Sequence, residues 1–183
     1  MKKMMIMAMM MAMTITANAM SYTAAKNEAL FLSDKMAYEL NLTDAQYDAV
    51  YEINLDYLMS VNGRNDAYGT WWNRRNTDLK YVLTAWQYEK FMDMSYFYRP
   101  LTWKNGSWTF NVYSHYSNKS HFYKARPKAY VSYKGNNKKS DRYYADKKVN
   151  KPASTPTAKP NNNRHIAQNT TKNIGSGHFG GRR

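Results

Sequence analysis

Three groups of side chains in this 183-residue sequence have the types and spacing that chemistry needs. Carboxylates recur at Asp44, Asp48, Glu52 and Asp56, four residues apart. On a helix that spacing places them on one face, where a pair could hold a cation or share general acid and base roles. The opposite stripe of the segment is apolar and no His accompanies the acids, so a solvated helix face is expected instead. His115 and His121 lie six apart, which fits no common zinc spacing, and the chain has no Cys. Thiolate metal sites, Cys nucleophiles and disulfides are therefore excluded. The third group is Tyr113, Tyr116, Tyr123, Tyr130 and Tyr133, interleaved with Lys124, Arg126 and Lys128. Rings of this kind stack on bases, sugars or peptide side chains, while the cations meet phosphates or carboxylates. The same residues would serve equally as a cover over a helical core whose cations keep it soluble. No nucleophile elbow, metalloprotease, P-loop or dinucleotide fingerprint occurs. No catalytic residue, metal or cofactor is expected, and the chain reads as non-enzymatic.

The elements that must carry these residues come in two kinds. Ala25, Ala29, Leu32, Met36 and Leu40 recur at steps of four and three, which is one face of a helix. Leu42-Thr43-Asp44-Ala45-Gln46-Tyr47 then reads as a capping box. Thr43 caps the N–H of Gln46, Gln46 reaches back to Thr43, and Leu42 with Tyr47 forms the staple. This helix should run to Val61 and stop at Asn62-Gly63 as a left-handed pair. A third helix from Asp66 has the stripe Tyr68, Trp71, Trp72, Arg75, Leu79, Val82 and Leu83, with its aromatic rings expected to supply buried area. Leu83-Thr84-Ala85-Trp86-Gln87-Tyr88 repeats the box 41 residues after the first. The fourth helix it opens must end before Arg99-Pro100.

After Pro100 the pattern changes. Asn105-Gly106 between β-prone runs predicts a hairpin with Lys104 opposite Ser107 and Trp103 opposite Trp108. A further short strand is expected at Tyr130–Tyr133. Residues 134–183 carry 12 basic and 2 acidic side chains and few apolar ones, which predicts a disordered basic tail. The whole chain has 27 Lys and Arg against 13 Asp and Glu, a net of +14. Residues 20–98 are net −4 and residues 99–183 net +16, so an acidic body with a basic, polyanion-seeking arm is expected. Met1-Lys2-Lys3, the apolar run Met4–Ile15 and Ala17-Asn18-Ala19 read as a signal peptide cleaved near Ala19. The run is about 12 residues where a span needs about 20. A periplasmic, secreted or cell-surface protein without an integral membrane segment is expected.

The paired boxes Leu42-Thr43-x-x-Gln46 and Leu83-Thr84-x-x-Gln87, behind a signal peptide, resemble the LTxxQ-motif family of Spy/CpxP-like periplasmic proteins over about residues 28–97. That resemblance implies a small helical hairpin assembly, often a dimeric cradle, so a homodimer is among the expected partners. Family members include an ATP-independent chaperone and an inhibitor of an envelope-stress sensor kinase. The expected architecture is mainly α, with short capped helices packed as two helical hairpins. A signal peptide (1–19), helical domain (20–99), aromatic β-hairpin and extended region (100–133) and basic tail (134–183) follow in order. The expected function is binding of client proteins or an envelope partner through an aromatic helical surface. The alternative is a surface-binding or matrix protein whose Tyr/Lys-rich C-terminal half holds anionic envelope polymers.

Overall fold

A computed structural model of the chain describes residues 20–105, 107–135, 139–147 and 149. The expected signal peptide and the tail beyond residue 149 lie outside the described residues. The fold is mainly helical with one small antiparallel hairpin, as the sequence predicts. No described helix is long and apolar enough to cross a membrane.

Helix α1 (Tyr22–Glu39) starts at Ser21, whose hydroxyl accepts from the Ala24 N–H. It ends in a left-handed residue, Asn41, at φ 50°. The Leu42 N–H reaches back to Ala37 O at 3.0 Å and the Asn41 N–H to Tyr38 O at 3.4 Å, the two bonds of a Schellman motif. Helix α2 (Asp44–Ser60) follows at once. Its capping box is complete, with the Gln46 N–H on Thr43 Oγ1 at 3.2 Å and the Thr43 N–H on Gln46 Oε1 at 3.0 Å. Asn62-Gly63 is not the left-handed stop expected there: Gly63 has φ −156° and Val61 leaves α2 extended. The N–H groups of Asn62 and Gly63 donate instead to Asp66 Oδ2, at 2.9 and 3.0 Å. A short-range carboxylate thus satisfied the backbone without a positive φ.

Asp66 does not open the third helix. It sits in a 3₁₀ turn (Arg64–Tyr68), and α3 spans Thr70–Val82. Helix α4 (Ala85–Asp93) has the second complete box, through Thr84 and Gln87, at 2.9 and 3.2 Å. Helix α5 (Ser95–Tyr98) ends the helical run before Pro100. Gln46 and Gln87 meet in the core where the two boxes face each other.

The core lies between α1, α2 and α3, with Leu32, Leu40, Leu55, Leu58, Leu79 and Val82 fully buried. Trp71 and Trp72 are only half-buried, contrary to expectation. Among the described residues, the fully enclosed aromatic rings are Tyr51, Tyr57, Phe91, Phe97 and Tyr144. Arg75, which the periodicity set in the apolar stripe, is 1 % exposed. Its Nε donates to Asn54 Oδ1 at 2.8 Å and its NH2 group to Phe97 O at 3.1 Å, tying α3 to α2 and α5. Burial lowers its pKa to about 10, so it stays charged at neutral pH.

Strands β1 (Leu101–Lys104) and β2 (Ser107–Phe110) pair in the expected register, with Asn105 left-handed at the turn. Trp103 and Trp108 meet edge to face at 4.8 Å. Helices α6 (Val112–His115), α7 (Ala129–Ser132) and α8 (Tyr143–Asp146) are single turns. The strand expected at Tyr130–Tyr133 is therefore a helical turn. Among the described residues no strand lies beside its β-prone residues to pair with them, and α7 packs on α2 instead. The tail boundary at residue 134 is also too early, because residues 139–147 fold onto α2 and α3 and bury Tyr144 to 2 % exposure.

Candidate functional site

The tyrosine-rich segment lies as a strap across the acidic faces of α1 and α2. Tyr113 donates its hydroxyl to Glu28 and Tyr116 to Glu39, the latter at 2.6 Å. Tyr133 donates to both oxygens of Asp56 at 2.7 and 2.8 Å, and Tyr144 to Glu52 at 3.0 Å. Lys139 adds an ion pair to Glu52 at 3.0 Å, and Asp48 accepts from the Ala129 N–H at 3.1 Å. The expected solvated face of Asp48, Glu52 and Asp56 is thus covered by the chain's own C-terminal half. Burial raises the pKa of Tyr113, Tyr116 and Tyr144, and the carboxylates they face raise it further. Gly135 makes the chain's turn above α2 at φ 85°, where a Cβ would fall 2.5 Å from Met59 Sδ.

The strap is pinned at its middle by Asp34 and Lys35, both almost fully buried. Asp34 accepts from the N–H groups of Tyr123 and Lys124 at 3.0 and 2.9 Å. Lys35 pairs with Asp34 at 2.9 Å and donates to His121 O. Its ammonium sits 4.5 to 5.6 Å from the ring centres of Phe31, Tyr123, Phe122 and Tyr116. The sequence therefore builds an aromatic cage and fills it with its own lysine.

Of the candidate binding residues, Tyr116 and Tyr133 are spent on the acids of the body. Tyr123 stacks on Tyr38 at 3.8 Å, and Tyr130 packs beside Tyr51 under Lys26 and Arg126. Lys124 Nζ donates to Leu42 O at 2.9 Å. Lys124, Arg126 and Lys128 line a surface pocket of about 530 Å³ against Asp44, Tyr47 and Asp48. The two His do not meet at a metal site: His115 stacks on Tyr96 and His121 meets Tyr123. Among the described residues, no cluster of His, Asp and Glu could hold a metal.

A larger concavity than this pocket lies elsewhere, a cleft of about 1080 Å³ between the hairpin and α1. Tyr68, Tyr96, Trp108, Phe110 and Tyr113 supply its rings, and Arg99, Lys104 and Lys119 its cations. Glu28 is its carboxylate. Burial raises the pKa of Glu28, against the hydrogen bond from Tyr113 and the charge of Lys119. The hairpin is held beside this cleft by the Tyr68 hydroxyl, which donates to Leu101 O at 2.8 Å. Tyr113 is the candidate that the structure brings to this cleft. Sequence reasoning missed Tyr96, Trp108 and Arg99, whose approach depends on how the hairpin docks. The Trp pair across the hairpin was the available signal. Comparison with protein-family models, with curated proteins and with solved structures finds no match to this chain.

Proposed function

We propose that this is a non-enzymatic exported envelope protein that holds a segment of another polypeptide in the cleft between its hairpin and α1. The observation that carries the reading is the cleft itself, a concave, ring-lined and cation-rimmed surface of ligand size. The paired LTxxQ-like boxes support a Spy/CpxP-like helical frame. The binding surface shifts relative to the sequence expectation, because residues 113–135 and 139–144 cover the faces of α1 and α2 that carry Glu28, Glu39, Glu52 and Asp56. A photo-crosslinking side chain at Thr109, exposed in the cleft, should capture an unfolding client protein. The same group at Val131, 74 % exposed and outside the cleft, should not. Equal capture at both positions, or none at either, refutes the reading.

A second reading, binding of anionic envelope polymers, rests on a different observation. Arg126 and Lys128 stand on an exposed loop and are in no ion pair among the described residues. Retention on heparin resin that falls on deletion of residues 151–183 and vanishes in Arg126→Ala/Lys128→Ala supports it. Retention unchanged in both removes it.

A further inference from the structure

The hairpin has two edges, and they differ. In an antiparallel pair closed by a two-residue turn, Lys104 with Ser107 and Thr102 with Thr109 exchange main-chain bonds, whereas Trp103 with Trp108 and Leu101 with Phe110 point their main-chain groups outward. On the β1 edge, Leu101 O is already taken by the Tyr68 hydroxyl at 2.8 Å. On the β2 edge, the outward N–H and C=O groups of Trp108 and Phe110 have no hydrogen-bond partner among the described residues.

The cleft takes in that second edge and also reaches Tyr68 beside the first. All four residues of β2 line it, from both faces of the strand, whereas β1 contributes only Thr102 and Lys104 from one face. An unpaired strand edge is a template for another chain, and strand addition is a recurrent mode of peptide recognition. The rim chooses the sign of the partner. The Arg99 guanidinium lies 5.3 Å from the Tyr68 ring and the Lys119 ammonium 3.9 Å from the Tyr113 ring, with Lys104 exposed at the hairpin end. None of the three is in an ion pair among the described residues, and the lining carboxylate, Glu28, is bonded to Tyr113. Residues 151–183 of the chain itself contain six basic and no acidic side chains, so charge disfavours them as the occupant.

We propose that an extended, acidic polypeptide segment adds as a third strand to the β2 edge, its main chain paired with Trp108 and Phe110 and its carboxylates facing Arg99, Lys104 and Lys119. This rests on the cleft being the polypeptide site. Main-chain bonds supply affinity without reading sequence, and the cations select acidic segments.

The test uses the mature chain and a fluorescein-labelled peptide of alternating glutamate and valine. Its counterpart N-methylated at every second residue keeps the side chains but loses one row of main-chain donors. The expected result is binding that N-methylation weakens by about tenfold or more, with the Trp108 and Phe110 amides gaining hydrogen-exchange protection on peptide binding. Equal binding of the two peptides overturns strand addition while leaving the cleft as a polypeptide site. Equal binding of a peptide of alternating lysine and valine overturns the acidic partner. Binding of polygalacturonate with no binding of any peptide overturns both this proposal and the polypeptide reading beneath it.

Discussion

Gln46 and Gln87, 41 residues apart in the chain, exchange hydrogen bonds in the core: Gln46 Nε2 donates to Gln87 Oε1 at 2.7 Å, and Gln87 Nε2 to Gln46 Oε1 at 3.2 Å. Each oxygen also accepts from the N–H of its own capping Thr. Each amide also donates across to a helix-end carbonyl, Gln46 to Val82 O and Gln87 to Leu40 O, both at 3.1 Å. A residue that in isolation only caps a helix here joins two helix–turn–helix units. Every polar group of the pair is satisfied at 0 % exposure.

Gln46→Ala and Gln87→Ala should therefore cost more than a lost cap. Each strands the partner's amide and a carbonyl in the core, and a loss of about 2–4 kcal/mol is expected in urea unfolding. The double variant should lose less than the sum, because the two residues share one network. Thr43→Ala and Thr84→Ala, which remove only the hydroxyl caps, should each cost about 1 kcal/mol.

Replacing Asp34 by Ala leaves Lys35 charged and enclosed without its carboxylate. A loss of about 3–5 kcal/mol is expected. Limited proteolysis should show cleavage near residues 121–124 sooner than elsewhere, because Asp34 holds the Tyr123 and Lys124 amides. Replacing both members, Asp34→Leu with Lys35→Met, should recover part of the loss.

Acidification should stabilise the fold through Asp78. Burial raises its pKa from 3.8 to about 6, against the opposing Arg74. Between those values the folded state holds a proton that the unfolded state has released, so stability falls as pH rises from about 4 to 6. Glu28, also raised by burial, acts in the same direction. Asp78→Asn should flatten the stability profile across that window by about 1–3 kcal/mol relative to the parent protein, measured by urea unfolding at each pH.

Tyr144→Ala should destabilise by about 3–5 kcal/mol, the range for loss of a buried ring. Tyr144→Phe should cost about 1 kcal/mol, the value of the bond to Glu52. Loss in both variants in thermal melts distinguishes a docked α8 from a segment that merely lies on the surface.

The sequence made the local devices legible and the long-range ones only as a bias. The capping boxes, the Trp103–Trp108 register and the helix faces depend on residues within a few positions of each other, so spacing alone exposes them. Arg75 appeared as a cation in an apolar stripe, and its burial follows from that stripe. The bonds from Tyr113, Tyr116, Tyr133 and Tyr144 join positions far apart, and the sequence registered them only as an acidic half and a basic half. The cleft was invisible because its walls come from α1, α5 and the hairpin, and no spacing records how those dock.

The strap has a consequence for the order in which the molecule assembles. Its bonds to the helices span 77 to 92 residues, from Tyr116–Glu39 and Tyr133–Asp56 to Tyr144–Glu52. Contacts of such separation slow folding, since the connecting chain must be closed before they form. Helices α1 and α2 can take their local shape early, but Glu39, Asp56 and Glu52 gain their phenolic partners only as residues 116, 133 and 144 become available in turn. The cover over the helices is therefore completed only once residue 144 is present, and any fragment ending before residue 111 leaves the acids of its helices without it.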